Sequence, residues 1–457
     1  MSFNSPTFLF LFLPVFLLIY SVAFGSARIF IGIAGSLFFY SLSHVEDLPI
    51  ILGLLCVTYL LSAGISLWNG RSLAIMLLWS GILVNVGLVV FYKISINTSY
   101  PFGLSYLSFQ SIATLVESRK SVSGQKDDFV SFAFYFLLFP KLPVGPITRY
   151  SQIREQITYL KPEPETMADG LRRFIYGLAK KVLIADTISI VVTPVFWLPS
   201  PDISVFHAWL VLLSYALQLY FDFSGYVDMA IGLALLMGIK LPENFDFPYI
   251  SKSISEFWRR WHITLSSWFR DFVFYPLERK RLKWIGQPLN ILIVFTLTGL
   301  WHGLTLNFVI WGLIHGLALV FEGTSLGKKM KTLWAPLQHL YALMIILVGW
   351  VFFRSPTVEF AFAYLQRLVG LPGEGVFGYE AIAPLPMLEP TFLLALIFGL
   401  VFSFPIIKSI AMWASNYKKN NTWLFQMIYD ILLFVILVVS IAAISARSFI
   451  PGIYGSF

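Results

Sequence analysis

The chain is poor in charge and in cysteine. Charged side chains make up 12% of its 457 residues, whereas a soluble protein carries about 25%. A folded chain with so few charges cannot cover its surface with groups that water solvates, so the composition excludes an ordinary soluble globule. The one cysteine, Cys56, excludes an intrachain disulfide and a cysteine-based metal cluster.

Apolar and aromatic residues take the place of charge, at 58% and 17% of the chain, with a mean hydropathy of +0.77. We therefore predict an all-α, polytopic integral membrane protein with roughly 11 transmembrane helices and further re-entrant or interfacial helices. The net charge of +8 is typical of basic cytoplasmic loops. We expect membrane lipid as a partner and no nucleic acid.

Several apolar runs need a specific interpretation. The run at 7–24 has no basic residue before it and is longer than a typical signal-peptide core, so we interpret it as a membrane helix. The runs at 29–41 and 225–239 are too short to cross a bilayer alone, and we expect them to be buried or re-entrant. The stretch 371–390 has glutamates but no Lys or Arg, which suits an extracytoplasmic loop.

No long linker divides the chain, so we predict one membrane domain over residues 1–457. Within it, residues 1–120 form N-terminal helices, residues 121–370 form the core, and residues 371–457 form C-terminal helices. The core holds nearly all of the unusual polar residues.

Positive charge is densest between Lys252 and Lys283, a segment that contains eight basic and three acidic residues. Such clusters mark the cytoplasmic face of a membrane protein. This one also suits an anionic ligand, such as a phosphorylated cofactor or an acidic carrier protein, and both interpretations stay open. The candidate cations are Arg259, Arg260, Arg270, Arg279, Lys280 and Arg281.

The segment 246–277 is too polar to cross a bilayer. Ser253 and Glu256 have the spacing of a capping box, which predicts that a helix begins at 254. Its apolar positions recur every three to four residues, at Trp258, Trp261, Leu265 and Trp268. An aromatic and basic helix of this kind belongs in the headgroup interface. His262 leans toward the buried side, either satisfied at the interface or facing a site.

Two aspartates lie in an apolar region, Asp222 and Asp228 in YFDFSGYVDMA. The Ser224-Gly225 pair between them predicts a break in the backbone. Ionisable residues at membrane depth are costly, so they are candidates for a functional site. Pairing with cations in a structural turn and a role in binding or proton handling are both compatible with the sequence.

The run 299–317 reads GLWHGLTLNFVIWGLIHGL and contains two histidines, His302 and His315. The apolar stretch 288–321 is long enough for two short spans, and its glycines allow close helix approach or a break. The histidines are 13 residues apart with no cysteine or carboxylate near them, so we expect no metal. A neutral buried imidazole can act as a general base, although a packed histidine fits the pattern equally well.

Longer motifs resemble those of the membrane-bound O-acyltransferase family, and within it the alginate O-acetylase branch. The motifs include FGLSYLSFQSIATLVE, FPKLPVGPITRYSQI, LRRFIYGLAKKVLIAD, PENFDFPYISKSISEFWRRWHITLSSWFRDFVFYPL, GLWHGLTLNFVIWGLIHGL and GWVFFRS. The resemblance covers most of residues 1–370.

The resemblance implies a ring of helices around a thin central funnel. It also implies catalytic roles for His302, in the W-H-G motif, and for His262, in the R-W-H motif. From their place beside these motifs or in apolar sequence, we expect supporting or lining roles for His315, Asp222, Asp228, Trp301 and Asn307. Members pass an acyl group, usually acetyl, from a cytoplasmic thioester donor (acetyl-CoA or an acyl carrier protein) to an extracytoplasmic polysaccharide. They reside in the bacterial inner membrane and usually work with a partner of the SGNH-hydrolase type; no cofactor is bound permanently.

One departure leaves an alternative open. The acetylase branch usually has P-L-G-G-N-R after the interfacial helix, whereas this chain has Pro276-Leu-Glu-Arg-Lys-Arg281. The related D-alanyl transferase branch, which serves teichoic acids, also lacks the glycine pair. A non-enzymatic alternative, a transporter whose histidines relay protons, predicts inverted repeats, and the sequence shows no sign of them.

Overall fold

The computed structural model describes residues 1–95, 98–120, 128–142, 144–196, 204–280, 286–371, 389–406 and 422–446. Over these residues the protein is helical and contains no β-strand, which confirms the all-α prediction. Arg281 and nearly all of the predicted loop at 371–390 lie outside the described residues.

The described helices fall into two sets along the chain. The first set comprises α1 Leu13–Val22, α2 Ser26–His44, α3 Leu48–Leu67, α4 Ser72–Ile94, α5 Leu104–Ser118, α6 Phe129–Leu137, α7 Tyr150–Thr158, α8 Pro164–Ala179, α9 Asp186–Phe196 and α10 Val205–Leu236. The second comprises α11 Ile254–Arg260, α12 Ile263–Phe269, α13 Tyr275–Arg279, α14 Gly286–His302, α15 Leu306–Gly323, α16 Ser325–Met330, α17 Ala335–Arg354, α18 Val358–Leu368, α19 Pro390–Phe402 and α20 Thr422–Ala446.

Six helices in the described part of the chain are long and apolar enough to cross a membrane. They are Val45–Leu67, Ser72–Ile94, Val205–Leu236, Leu306–Gly323, Ala335–Arg354 and Gln426–Ala446. Shorter apolar helices lie at Phe8–Val22, Ser26–Leu42, Phe129–Lys141 and Pro390–Phe402. Repeated apolar helices of this length confirm a polytopic membrane protein.

The chain divides into two compact units. One comprises Met1–Leu178, Tyr226–Glu243 and Ile444–Gly455, and the other comprises Ala179–Gly225, Asn244–Ala443 and Ser456–Phe457. In the first unit, α3, α4 and α5 pack on one another around a small core of Ile65, Ala74, Leu78 and Leu115. In the second unit, α15 packs against α11, α14 and α17. The predicted segment boundaries at 120 and 370 stay predictions.

The break predicted at Ser224-Gly225 is wrong. Helix α10 runs without interruption through this pair for 32 residues, so 225–239 is not a separate short piece. Its polar residues are enclosed, with Ser224 at 2% and Asp222 at 4% exposure. Tertiary burial stabilises the helix despite the poor intrinsic propensity of serine and glycine. The run at 29–41 likewise belongs to the longer helix α2.

The predicted interfacial helix begins at Ile254, as its capping signal indicates, and the Ser253 hydroxyl accepts a bond from the Glu256 N–H at 3.0 Å. A single helix running on to Trp268 is wrong, because the chain breaks at His262 between α11 and α12. The side chains predicted for its apolar face are nevertheless all buried: Trp258, Trp261, Leu265 and Trp268.

Candidate active site

Helices α14 and α15 form a tight hairpin, joined by a turn at residues 303–305. A Cβ atom on Gly299 would overlap the carbonyl oxygen of Phe308, and a Cβ atom on Gly312 would overlap the carbonyl oxygen of Phe295. The two glycines therefore let the antiparallel backbones touch. Two short helices with close approach at glycine confirm the prediction for this stretch.

His302 is the last residue of α14 and is 5% exposed. Its ring lies among four aromatic side chains. Ring centroids are 4.5 Å away for Trp301, 5.0 Å for Trp311, 5.0 Å for Phe353 and 6.1 Å for Phe308. The structure therefore places the predicted residue Trp301 directly beside the predicted histidine.

His315 lies within α15 and is fully buried. Ring centroids are 5.3 Å away for both Trp258 and Trp311 and 6.0 Å for Phe257. Its Nε2 approaches the backbone of Gly349, where a Cβ atom would lie only 2.9 Å from that nitrogen. Neither ring nitrogen has a hydrogen-bond partner among the described residues. Aromatic packing, rather than hydrogen bonding, holds this imidazole.

His262 lies at the junction of α11 and α12 with a φ of 44°, in the left-handed region that residues other than glycine seldom adopt. Its Nδ1 is 3.3 Å from Asn244 Oδ1, and that oxygen also accepts bonds from the Thr264 N–H and hydroxyl, each at 3.0 Å. The Ile263 N–H donates to the Asn244 carbonyl oxygen at 3.0 Å. Burial lowers the pKa of His262 to about 3, so the imidazole is neutral near pH 7.

One aromatic cluster reaches from the junction to the hairpin. Trp261, next to His262, has its ring centroid 5.1 Å from that of Trp350. Trp350 in turn lies 5.5 Å from Phe353, which contacts His302. His262, His302 and His315, the three histidines predicted for the site, therefore all border one cluster of aromatic side chains in the second unit.

This geometry can be set beside known proteins. The model of the membrane-bound O-acyltransferase family matches residues 37–348, which include the junction and the hairpin. The chain belongs to the membrane-bound O-acyltransferase family. The resemblance seen in its motifs is confirmed, and the protein is an O-acyltransferase of the membrane.

Three relatives of this O-acyltransferase carry different names. The "Probable alginate O-acetylase" of Pseudomonas aeruginosa is 34% identical over 390 residues, covering 80% of this chain and 75% of that protein. The peptidoglycan O-acetyltransferase of Helicobacter pylori is 34% identical over 425 residues, covering 81% and 80%. The teichoic acid D-alanyltransferase of Bacillus subtilis is 30% identical over 263 residues, covering 55% and 66%.

Asn307, predicted to support the site of the O-acyltransferase, is 2% exposed. Its Nδ2 donates to the carbonyl oxygen of Ser355 at 2.6 Å. Ser355 directly follows α17, so the bond ties the start of α15 to the end of α17. Asn307 thereby helps to fix the helix pair that carries Trp311 and Phe353 against His302.

Asp222 belongs to a buried ionic cluster in the second unit. Lys181, in a π-helical turn at Lys180–Ala185, lies 2.7 Å from Asp222 and 2.5 Å from Asp186. All three side chains are buried. Charged groups are tolerated in a protein interior when they are paired in this way, so Asp222 pairs with a cation as one of its two predicted roles requires. Its role in binding or proton handling stays a prediction.

Asp228 has a comparable place in the first unit. It lies 2.8 Å from Arg173, which also pairs with Glu243 at 2.5 Å. The six-residue separation places Asp222 and Asp228 in different ion clusters of the same helix, α10. Asp228 belongs to the first unit, whereas His262, His302 and His315 belong to the second.

The predicted donor-binding cations fall into two groups. Arg260 is 2.9 Å from both Asp246 and Glu256, and Arg270 pairs with Asp271 at 3.0 Å. The remaining ones in the described chain are exposed: Arg259, Arg279 and Lys280. Arg281 lies outside the described residues. Arg270 is exposed as well, so Arg259, Arg270, Arg279 and Lys280 are the cations that an anionic ligand could reach.

Two buried polar residues near the junction were missed by the sequence reasoning. Asn244 stands in the PENFDFPYIS motif, but nothing local connects it with a histidine 18 residues later. Glu322, at the end of α15, accepts bonds from the N–H groups of Ile254 at 2.5 Å and Ser255 at 3.0 Å. A carboxylate at this position stabilises the N-terminus of α11. The only available signal for Glu322 was a lone acidic residue in an apolar run.

Proposed function

We propose that this membrane O-acyltransferase transfers an acetyl group from a cytoplasmic thioester, acetyl-CoA or an acyl carrier protein, to a hydroxyl group. The observation that carries the proposal is His302, buried among aromatic rings at the turn of a glycine-packed hairpin. Such a site excludes water from a reactive thioester. The thioester is a substrate, not a permanently bound cofactor.

The proposed chemistry needs one proton acceptor. His302, as a neutral imidazole, takes the proton from the incoming hydroxyl while the oxygen attacks the thioester carbonyl carbon. The tetrahedral intermediate then collapses, the carbon–sulfur bond breaks, and the thiolate takes the proton back from the imidazolium. An ester and a thiol result. His262, held neutral by burial, positions a reactant.

The acceptor is proposed from the relatives. The names of two relatives refer to alginate and peptidoglycan, both polysaccharides outside the cytoplasm. We therefore assign this chain to the bacterial inner membrane, with an extracytoplasmic polysaccharide as final acceptor and an SGNH-type transferase as partner. The exposed cations Arg259, Arg279 and Lys280 would attract the anionic part of the thioester donor.

D-alanyl transfer is the second candidate. The sequence departs from the acetylase pattern at Pro276–Arg281, and a teichoic acid D-alanyltransferase is 30% identical over 55% of the chain. The two acetyltransferase relatives are 34% identical and cover 80% and 81%. This broader match favours acetyl over D-alanyl.

The test replaces His302 with Ala in the native host. Loss of the general base should lower transfer by about 10²–10⁴-fold, while membrane accumulation stays normal. Mass spectrometry of surface glycans is the readout, and it separates acetyl esters from D-alanyl esters. The matched control is His207→Ala, because His207 lies outside the cluster and its Nδ1 is 2.7 Å from the Ser204 hydroxyl. Normal ester content in the His302→Ala strain would refute the proposal.

A further inference from the structure

Helix α13 ends a continuous helical run that begins at the α11–α12 junction. Helix α12, a π-helical turn at Arg270–Phe274 and α13 follow one another without a break. None of the five residues of α13 is buried, and helix ends fray unless a contact holds them. One side-chain hydrogen bond ties this end to α14, where Asn290 Nδ2 donates to Glu278 Oε2 at 2.9 Å. Asn290 is only 7% exposed, so the anchor is a buried amide of the helix that ends at His302.

The anchor and the cations beside it both belong to the departure from the acetylase pattern. In P-L-G-G-N-R, the two glycines fall at Glu278 and Arg279, and the asparagine falls at Lys280. Glycine has no side chain that accepts a hydrogen bond, so a chain with the glycine pair lacks this anchor. Arg279 and Lys280 are exposed, and neither forms an ion pair with another residue of the described chain. This chain therefore presents two unpaired positive charges beside α14.

The length of α14 fits the arm of a thioester donor. Helix α14 ends at His302, and Asn290 lies 12 residues earlier on the same helix, which is about 18 Å at about 1.5 Å per residue. Acetyl-CoA and acyl carrier proteins both hold the thioester at the end of a pantetheine arm that begins at a phosphate group. An extended arm of this kind has a similar length, so a phosphate bound at α13 allows the thioester to reach His302.

We propose that Arg279 and Lys280 bind the phosphate group at the start of the donor's pantetheine arm, with Glu278 and Asn290 as positioning residues for these two cations. Arginine and lysine bind phosphate through charge-assisted hydrogen bonds. The Asn290 amide holds the Glu278 carboxylate against α14 and thereby fixes the helix end that carries the cations. The phosphate is common to acetyl-CoA and acyl carrier proteins. This inference rests on the proposed acyl transfer from a thioester.

The test measures the binding of two probes that differ only in the phosphate, S-acetyl phosphopantetheine and S-acetyl pantetheine. Isothermal titration calorimetry with the purified protein in phosphatidylcholine nanodiscs gives each Kd. The wild type should bind the phosphorylated probe about 5-fold more tightly, and Arg279→Gln combined with Lys280→Gln should abolish this preference without weakening the other probe. No preference in the wild type, as expected if lipid headgroups alone occupy the cations, would overturn the proposal. A preference that survives the two substitutions would overturn it as well.

The matched control is the exposed pair Lys328 and Lys329 on α16. Replacing both with Gln removes the same formal charge from the protein and should leave the preference for the phosphorylated probe unchanged. If this variant loses the preference to the same extent, then the net charge of the protein attracts the probe. That result would remove the specific role of Arg279 and Lys280.

The anchor is tested with a substitution whose electrostatic effect has the opposite sign. Glu278→Leu breaks the bond to Asn290 and also removes a negative charge beside the cations. Electrostatics alone predicts tighter binding of the phosphorylated probe, whereas release of the helix end predicts weaker binding, by about 3-fold. Asn290→Leu breaks the same bond without a change in charge and should weaken binding alike, so either variant suffices if the other fails to accumulate. Glu278→Gln keeps an acceptor oxygen for Asn290 and should retain the preference.

Two results would overturn the role of Glu278 and Asn290. One is tighter binding of the phosphorylated probe by the Glu278→Leu protein, and the other is an equal loss of affinity for both probes.

Full-length donors then identify the source of the phosphate. The Kd values of acetyl-CoA and of an acetylated carrier protein are compared between the wild type and the Arg279→Gln, Lys280→Gln protein. The donor whose affinity falls is the one held at α13, and unchanged affinity for both would contradict the proposal. Failure of this inference is distinguishable from failure of the proposed function. Transfer that depends on His302, in a protein without any phosphate preference, leaves acyl transfer intact and removes only the role of α13.

Discussion

The two histidine regions of this O-acyltransferase are held by different forces. At the α14–α15 hairpin, His302 and His315 are fixed by packing, through backbone contact at glycine and through aromatic rings. At the α11–α12 junction, His262 is fixed by hydrogen bonds around Asn244. The hairpin should therefore be sensitive to added volume, whereas the junction should be sensitive to pH and to polar substitution.

Among changes that leave His302 in place, the largest effect is expected from adding one carbon to the hairpin. Gly312→Ala places a Cβ atom against the carbonyl oxygen of Phe295, and backbone cannot yield as a flexible side chain does. The helices must separate, and a displacement of about 1 Å at the reacting groups costs about 100-fold in rate. Acetyl transfer in nanodiscs is the measurement.

Gly87→Ala is the matched control, since Gly87 lies within α4 and a Cβ atom there has no neighbour within 4 Å. Its transfer rate should equal that of the wild type, because alanine is also the better helix former. Equal rates in the Gly312→Ala and Gly87→Ala proteins would show that the hairpin is not held by close packing.

The difference between the hairpin and the junction also explains why the sequence predicted the hairpin but not the break at His262. The hairpin follows from local features: an apolar stretch long enough for two helices, with glycines spaced along it. The break at His262 has no local signal, because no glycine or proline marks it and the bonds that hold its positive φ come from Asn244, 18 residues earlier. The continuity of α10 through Ser224 was mispredicted for a related reason, since burial by neighbouring helices overrides local propensity.

The site residues also differ in whether the sequence alone could identify them. The motifs identified His262 and His302 as candidates because each stands in a short, distinctive run. Their surroundings depend on contacts distant in sequence, such as Trp311 and Phe353 on His302. Spacing along the chain contains no information about such partners, so Asn244 and Glu322 could be found only in three dimensions.

An intermediate effect is expected from pH at the junction. Burial lowers the pKa of His262 to about 3, below the value of about 6.5 expected in the unfolded chain. Between these values the unfolded state binds a proton that the folded state does not. The free energy of unfolding should therefore fall as the pH is lowered below about 6.5, by about 1.4 kcal/mol per pH unit from this group.

Thermal unfolding in detergent at several pH values measures this slope. His262→Gln should lose the contribution, so its stability should change less than that of the wild type as the pH falls from about 6.5 to 4.5. Identical slopes for the wild type and His262→Gln would mean that His262 is not held neutral by burial.

The smallest effect is expected at the second hairpin histidine. Leucine has a volume similar to that of histidine and would remove two buried nitrogens that have no hydrogen-bond partner among the described residues. His315→Leu should therefore be nearly neutral for folding, with transfer reduced less than about 10-fold by the altered packing on Trp311. The same substitution at the other hairpin histidine, His302→Leu, should abolish transfer because it removes the proton acceptor. A His315→Leu protein that folds normally yet is as inactive as His302→Leu would contradict this prediction. It would show that the His315 ring takes part in the reaction and does not only pack against its aromatic neighbours.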